Sequence, residues 1–415
     1  MSDLVRLAEE AEALDKTDEL APLRERFVLE PGTVYLDGNS LGALPRGVGE
    51  RLARTVTHEW GRLGIRSWTE SGWWAAPERV GELVAPLVGA GPGQVVVGDS
   101  TSVNVFKAVV GAVRIARGDS ASRHEVLVDA ATFPTDGYIA ESAARLTGCS
   151  LRAVPAAEVP DAVGPETAAV LLNHVDYRTG ALNDLPGITA AVRAAGARTV
   201  WDLCHSAGAL PVGLDAHGVD LAVGCTYKFL NGGPGSPAFL YVRRSLQERF
   251  ETPLPGWGSH ADPFAMEPAY APASGAARGR VGTPDILSMA ALEAALGVWE
   301  GVRIETVRAK SLALTDHFLR CVRAAVPGGG PAGGSRVAVS SLTPEEHARR
   351  GSQVALLCDP VERAGPVMEA LIARGVVGDF RRPGVLRFGF TPLYTSFEEA
   401  GHAARVLGEV TGGPR

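Results

Sequence analysis

The feature that most constrains the fold of this chain is a unit that recurs between residues 95 and 241. In each copy, a short apolar run is followed by polar residues and then by a helical pattern. Runs that are apolar throughout are typical of strands buried on both faces of a parallel sheet. The pattern therefore predicts an α/β fold, in which helices cover both faces of a mostly parallel sheet. The apolar runs lie at residues 95–97, 125–129, 168–172, 200–201 and 221–225.

The chain of 415 residues is too long for one small core and predicts two domains. After residue 285, helices are predicted at 304–325, 366–374 and 396–407, and strands at 337–339, 354–357 and 385–390. The proline- and glycine-rich residues 327–334 are predicted to form a surface turn. This last part of the chain is therefore expected to form a smaller α+β domain.

Charge and cysteine content exclude several classes of protein. The net charge of −7 argues against a surface that binds nucleic acid. No apolar run reaches the length that spans a membrane, so no membrane association is expected. The five cysteines lack C-x-x-C spacing, which predicts neither a metal site nor a disulfide framework. A reducing cytoplasm is the expected location.

An acid and a lysine follow two neighbouring predicted strands. Asp202 ends one strand, and Lys228 follows the next, just before the glycine-rich residues 231–235. Carboxyl ends of parallel strands meet at one edge of a sheet, where ligands bind. Pyridoxal phosphate requires a lysine for a Schiff base and a carboxylate on its pyridine nitrogen, and burial is expected to lower the pKa of such a lysine. The alternative is that Asp202 caps a helix and Lys228 is a surface residue.

Two further segments follow predicted strands. Thr101 and Ser102 precede an apolar helix predicted at residues 105–116, where free backbone N–H groups suit a phosphate. A plain helix cap would satisfy the same residues equally. Phe133 precedes a proline that restricts its backbone, which favours a ring held for stacking, and Asp136 then begins the next helix.

Arg387 lies inside an otherwise apolar strand and therefore needs an anionic partner. That partner is either an internal carboxylate or the carboxylate of a substrate. Residues 58–74 hold four of the seven tryptophans, a density typical of a core or a subunit interface, or of a site that stacks on an aromatic ligand.

With these residues in view, the chain resembles the fold-type-I pyridoxal-phosphate enzymes of the class-V aminotransferase superfamily, and within them the kynureninases. The similarity covers nearly the whole length, and its strength lies in the order of many short motifs. These are YLDGNSLG (35–42), STSVN (100–104), FPTD (133–136), HVDYRTG (174–180), WDLCHSAGALP (201–211), TYK (226–228), NGGPG (231–235), GWGSH (256–260), GTPDIL (282–287) and LRFGFTPLYTSF (386–397).

The resemblance implies an α/β fold with a mostly parallel seven-stranded sheet, helices on both faces and a smaller α+β C-terminal domain. It implies an N-terminal arm (1–50) that packs with the small domain, a large cofactor-binding domain (51–290) and a small C-terminal domain (291–415). It also implies a cytoplasmic homodimer with a shared active site.

The resemblance assigns roles to particular residues. Lys228 forms the Schiff base with pyridoxal 5'-phosphate, Asp202 pairs with the pyridine nitrogen, and Tyr227 moves protons. The implied cofactor-binding residues are Thr101, Ser102, Phe133, Asp136, Thr179, Asp202, His205, Tyr227, Lys228, Trp257 and, reaching in from the partner subunit, Thr283. The implied substrate-binding residues are Arg387 for the amino-acid carboxylate and Ser40, Trp68 and Trp257 around the aromatic end.

The implied reaction is hydrolysis of the Cβ–Cγ bond of L-kynurenine or 3-hydroxykynurenine, which gives anthranilate or 3-hydroxyanthranilate and L-alanine. This places the enzyme among the hydrolases of carbon–carbon bonds in ketonic substances, in the kynurenine pathway of tryptophan catabolism that feeds NAD biosynthesis. Some relatives carry asparagine at Thr283, so the preference between the two substrates stays open.

Two alternatives remain, a lyase on the same fold such as a cysteine desulfurase and a non-catalytic binding module. A desulfurase needs a reactive cysteine on a mobile loop, and none of the five cysteines lies in a glycine- or serine-rich loop of the second domain. A nicotinamide-dependent dehydrogenase is disfavoured because no G-x-G-x-x-G lies between the first strand and its helix.

Overall fold

The computed structural model describes residues 3–326 and 337–412. The turn predicted at 327–334 lies outside the described residues. The helices of the described part are α1 (Asp3–Lys16), α2 (Gly47–Arg54), α3 (Ser67–Glu70), α4 (Ala76–Val84), α5 (Thr101–Asp119), α6 (Pro134–Thr147), α7 (Val159–Ala162), α8 (Leu185–Ala194), α9 (Ile286–Leu296), α10 (Ile304–Ala325), α11 (Ala364–Ile372) and α12 (Phe397–Val410). The strands are β1 (Phe27–Val28), β2 (Val34–Tyr35), β3 (Leu44–Pro45), β4 (Val95–Val97), β5 (Glu125–Asp129), β6 (Ser150–Val154), β7 (Thr167–Asn173), β8 (Arg198–Asp202), β9 (Leu221–Gly224), β10 (Phe239–Val242), β11 (Ala338–Ser341), β12 (Gln353–Asp359), β13 (Val376–Val377), β14 (Asp379–Arg381) and β15 (Val385–Gly389).

The chain forms two compact units. The large unit comprises Gly47–Asp176 and Asn183–Gly297, and the small unit comprises Met1–Arg46, Tyr177–Leu182 and Val298–Arg415. The predicted domain boundaries at residues 50 and 290 stay a prediction. Within the described residues, no helix is both long enough and apolar enough to cross a membrane.

The large unit is built on a seven-stranded sheet with the order β4-β10-β9-β8-β7-β5-β6. Strands β5 to β9 pair in parallel, and β10 runs antiparallel to both of its neighbours. Neighbouring residues of β8 face opposite ways: Val200 belongs to the core cluster that contains the apolar face of α5, whereas the Trp201 indole donates a hydrogen bond to Thr189 of α8. Helices therefore cover both faces, and the predicted fold class is confirmed.

The helix predicted from residue 105 begins four residues earlier, at Thr101. The prediction of its start was wrong because it followed the apolar run alone. The Ser100 hydroxyl accepts the Val103 N–H at 3.4 Å, and this cap lets the helix begin among polar residues.

The small unit contains an antiparallel sheet with the order β11-β12-β15-β14 and a parallel pair of β2 with β13. Phe318 of α10 packs against Phe388 and Phe390 with ring centroids 5.1 Å apart in each case. The observed α10 has the predicted bounds. Strand β14 was not predicted, because its three residues form no apolar run.

Candidate functional site

Three polar side chains meet at the carboxyl edge of the large sheet. Asn173 ends β7 and Asp202 ends β8, and the two residues are direct partners in the parallel register. The Asn173 amide donates hydrogen bonds of 2.8 Å to Asp202 Oδ2 and to Asp136 Oδ2. One buried amide therefore holds two buried carboxylates.

The two carboxylates differ in their surroundings. Asp202 Oδ1 also accepts the Cys204 N–H at 2.7 Å, which is the local contact expected of a helix cap. Burial raises the pKa of Asp136 well above its usual range, and the negative charge of Asp202 raises it further. The protonated form of the Asp136 carboxyl is therefore favoured at this edge.

Lys228 lies beside this pair. Its Nζ is 2.9 Å from His205 Nε2 and 5.7 Å from the centroid of the Tyr227 ring. The side chain is half-buried, which disfavours the surface-residue alternative. Burial opposes the charge on Lys228, but interactions with Cys225, Cys204 and Tyr227, and last with Asp202, outweigh burial and raise its pKa. The expected lowering of this pKa is therefore wrong, because burial was the only effect considered.

Thr101 and Ser102 occupy the first turn of α5, directly after β4 and at the same edge of the sheet. Backbone N–H groups of a first turn have no partner inside their own helix, and the helix dipole adds partial positive charge there. The Thr101 hydroxyl lies 3.8 Å from the Cys204 sulfur, so this turn contacts the segment that follows β8.

Phe133 is fixed by the same amide that holds the carboxylates. Its N–H donates to Asn173 Oδ1 at 3.2 Å, and Thr132 Oγ1 donates to that oxygen at 2.8 Å. Pro134 then begins α6, with Asp136 in its first turn. Phe133 is 41% exposed.

Three tryptophans of the predicted cluster contact one another. Trp74 packs 6.2 Å from Trp68 and 4.8 Å from Trp257 between ring centroids, and Trp68 also packs 5.7 Å from Trp73. The structure thus brings Trp68 and Trp257 together through Trp74. Both the packing role and the ligand-stacking role stay open for this cluster.

The remaining predicted residue of the large unit is Thr283. It is exposed and lies in the turn before α9, where it lines a cavity of about 150 Å³ together with Asp99 and Lys107.

Ser40, Thr179 and Arg387 belong to the small unit. Arg387 is buried and binds Asp379 through Nε (2.7 Å) and Nη2 (2.5 Å), and its Nη1 donates to the Tyr177 carbonyl. Ser40 Oγ accepts from Arg387 Nη2 at 3.2 Å and donates to Asp379 at 2.7 Å. Asp379 is therefore the internal carboxylate partner predicted as one alternative for Arg387. The side chains of Arg387 and Ser40 also lie in contact.

Thr179 is held locally. Its hydroxyl accepts the Ala181 N–H at 3.2 Å, and its carbonyl accepts the hydroxyl of Thr343 at 2.6 Å.

Sequence reasoning missed Asn173 and Asp379. Asn173 follows an apolar strand, as Asp202 does, so its position was a usable signal. Asp379 offered none, because it lies in a polar stretch and its role depends on cross-strand pairing with Arg387.

The edge of the large sheet fits pyridoxal phosphate on its own geometry. It offers a half-buried amine, a carboxylate held by two donors, a half-exposed ring and a helix N-terminus with two hydroxyl side chains. These are the groups that an aldehyde, a pyridine nitrogen, an aromatic plane and a phosphate require.

Comparison with known proteins agrees with this geometry. Residues 307–407 match the family model of the kynureninase C-terminal domain, and residues 34–326 match that of the class-V aminotransferases. A kynureninase of Burkholderia pseudomallei is 46% identical over 409 residues, which cover 98% of this chain and 96% of that protein. A kynureninase of Deinococcus radiodurans is 49% identical over 411 residues, covering 97% and 96%. Among solved structures, the cysteine desulfurase CsdA of Escherichia coli aligns with a TM-score of 0.78 at 19% identity, covering 94% of this chain and 98% of that one, which shows a shared fold.

Proposed function

The chain belongs to the kynureninase family, and from that premise we propose which of its residues carry out the reaction. It is a hydrolase of carbon–carbon bonds in ketonic substances that uses pyridoxal 5'-phosphate. It cleaves the Cβ–Cγ bond of L-kynurenine to give anthranilate and L-alanine, a step of tryptophan catabolism.

The observation that carries the residue assignment is the convergence of Lys228 and Asp202 at one sheet edge, with Asn173 fixing the Asp202 carboxylate. Lys228 would bind the cofactor aldehyde, and Asp202 would hold a proton on the pyridine nitrogen. Phe133 would stack on the ring, with Asp136 and His205 contributing polar contacts.

The phosphate would be held chiefly at the N-terminus of α5. Thr101 and Ser102 supply hydroxyls and backbone N–H groups there. Tyr227 and Trp257 are proposed to complete this pocket. Thr179 is proposed as a further cofactor contact.

When bound, the cofactor withdraws electrons from the substrate carbons that lose a proton or a bond. The Lys228 amine would take the Cα proton and return it at a later step, since the substrate would displace this amine from the cofactor aldehyde. The Tyr227 phenol moves protons in the later steps. Burial raises the pKa of Tyr227, so this phenol stays protonated and is able to donate.

Arg387 is proposed to hold the substrate carboxylate. Asp379 and Ser40 fix the plane of its guanidinium from one side, and Nη1 retains a second N–H besides the one donated to Tyr177. Ser40, Trp68 and Trp257 are proposed to flank the aromatic end of the substrate.

The assay that tests this function follows the fluorescence of anthranilate formed from L-kynurenine, the formation of 3-hydroxyanthranilate from 3-hydroxykynurenine, and sulfide release from cysteine. Replacing Lys228 by alanine should abolish turnover and the visible absorbance of the bound cofactor, while Lys16→Ala, on an exposed lysine, should change neither. A Lys228→Ala enzyme with normal turnover would remove this lysine from the scheme. Comparing the rates with the two kynurenines also shows which of them the enzyme with Thr283 prefers.

The small unit offers the desulfurase alternative no suitable thiol among its described residues. Cys321 and Cys358 of the small unit are buried, and burial raises the pKa of each to about 11. A thiol with such a pKa is not the nucleophile at neutral pH. Release of sulfide from cysteine at a rate comparable to anthranilate release would overturn this reasoning.

We further propose a homodimer in which Thr283 reaches the phosphate of the partner subunit. Mixing the Lys228→Ala and Thr283→Asp proteins should restore activity, because one of the two shared sites in a mixed dimer is intact. No recovery after subunit exchange would refute the shared site. A cytoplasmic location is proposed as well, supported by five cysteines that are all free thiols.

A further inference from the structure

Lys107 is a buried cation that the proposed reaction does not use. Lys107 lies in the middle of the apolar helix α5, and its side chain is fully buried. Its Nζ donates to Asp99 Oδ2 at 2.7 Å and to the Gly279 carbonyl at 2.6 Å. A buried ammonium is costly and persists only with such partners, so these two contacts are the feature to explain.

The first partner determines where α5 begins. Asp99 has a φ of 58°, a left-handed conformation that is unfavourable for a residue with a Cβ and is kept only when the surroundings hold it. The Asp99 carbonyl accepts the Ala238 N–H at 2.9 Å, and its carboxylate is held by Lys107. The next residue is Ser100, the cap of α5. Lys107 therefore stabilises the turn that directs the helix N-terminus.

The second partner begins the segment that carries Thr283. Next to Gly279, the Arg280 guanidinium lies 4.4 Å from the centroid of the Trp74 ring and pairs with Glu78 at 3.0 Å. One ammonium thus connects the turn before α5 to the segment 279–283. The turn leads to the residues proposed to bind the phosphate of the same subunit, and the segment carries Thr283, proposed to reach the phosphate of the partner subunit.

The charges of Lys107 and Asp99 also affect how well a nearby anion is bound. The Asp99 carboxylate lies next to the helix terminus proposed to bind a phosphate dianion, where an uncompensated negative charge would repel that ligand. We propose that Lys107 and Asp99 are positioning residues for the cofactor phosphate: Lys107 holds the Asp99 turn and cancels its charge. This inference rests on the proposed function, in which Thr101 and Ser102 bind that phosphate.

The test compares the affinity for pyridoxal phosphate with that for pyridoxal, which lacks the phosphate. Both dissociation constants are measured by absorbance titration of the full-length chain after removal of its cofactor. Lys107→Met should raise the constant for pyridoxal phosphate by about tenfold more than that for pyridoxal, which corresponds to about 1.4 kcal/mol. Lys107→Met/Asp99→Asn should recover most of this ratio, because the unpaired carboxylate is gone.

The small unit offers a matched control. Lys310 is also a buried lysine that donates to one carboxylate, Asp18 (2.6 Å), and one backbone carbonyl, Pro392 (2.6 Å). Lys310→Met should lower the melting temperature and leave the ratio of the two dissociation constants unchanged. A merely structural role for Lys107 predicts the same outcome for both lysines.

The inference is overturned if Lys107→Met changes both dissociation constants equally or changes neither. If that variant does not fold, Asp99 decides, because its side chain is 29% exposed. Asp99→Asn and Asp99→Ala both remove the carboxylate, but asparagine tolerates the left-handed turn better than alanine. The Ala variant should therefore lose more affinity for pyridoxal phosphate, relative to pyridoxal, than the Asn variant; equal ratios in the two variants overturn the inference. A wild type that binds no pyridoxal phosphate would instead overturn the proposed function.

Discussion

Replacing Asp379 by alanine should be among the most damaging single changes to the small unit. The Arg387 side chain is 2% exposed and that of Asp379 is 16% exposed, and two hydrogen bonds join them. Removing one partner of a buried ion pair leaves the other charge without compensation, which costs about 3–5 kcal/mol of the free energy of unfolding. Because Asp379 also fixes the plane of the guanidinium proposed to bind substrate, KM for kynurenine should rise by more than kcat falls.

Urea denaturation followed by circular dichroism, at saturating cofactor, measures the loss of stability. The control is Glu345→Ala, which breaks a pair with Arg323 whose side chains are 58% and 78% exposed. Such an exposed pair contributes under about 1 kcal/mol. Equal losses for the two variants would refute the reasoning, since burial is its only basis.

The pH dependence gives the same prediction a second check. Burial opposes the charge on Asp379, but the hydrogen bonds and charge of Arg387 outweigh it and lower the pKa of Asp379. A lowered folded-state pKa contributes stability that is present above the unfolded pKa, about 4, and is lost as the pH falls through the folded value. The difference in stability between wild type and Asp379→Ala should therefore shrink in acid.

Two further changes test other parts of the structure. Asn173→Ala should cost about 2–4 kcal/mol of the free energy of unfolding and weaken cofactor binding, because it leaves the buried carboxylates of Asp136 and Asp202 without their shared donor; an unchanged denaturation midpoint and cofactor affinity would refute it. Burial, and then the charge of Asp379, raise the pKa of Asp37 to about 7, so the folded state loses stability as the pH rises from about 4 to about 7. Asp37→Asn removes this loss, and its stability relative to wild type should improve by at most about 4 kcal/mol between those limits; a difference independent of pH would contradict the assignment.

The sequence predicts the large sheet well because the information is local. Each buried parallel strand is a short apolar run, and its polar end marks the edge where ligands bind. This places Asp202 and Lys228 at one edge without any knowledge of tertiary contacts. The start of α5 was mispredicted for a local reason too, since its cap lies outside the apolar run.

Pairings between distant residues were beyond prediction. Asp136 and Asp202 share Asn173 across 37 and 29 residues of sequence, and the register that unites them is set by the packing of whole strands. The apolar strand around Arg387 predicted that this residue needs an anionic partner. Identifying Asp379 as that partner required knowledge of β14, in which Asp379 pairs with Arg387 across the strands. Lys107 could have been found by the argument applied to Arg387, because it too is a charged residue flanked by apolar ones in a largely apolar element.

Buried charge is arranged differently at the cofactor edge and at three sites elsewhere in the described structure. Lys107, Lys310 and Arg387 are each matched by a carboxylate within 2.7 Å. At the sheet edge, by contrast, the two carboxylates of Asp136 and Asp202 share a neutral amide, and the Lys228 amine contacts a histidine. An edge that keeps a carboxylate without a bonded cation is suited to a ligand that brings a positive charge of its own, and a protonated pyridine nitrogen is such a ligand. The proposed pairing of the pyridine nitrogen with Asp202 would supply that charge, whereas the ion pairs of Lys107, Lys310 and Arg387 are formed within the protein itself.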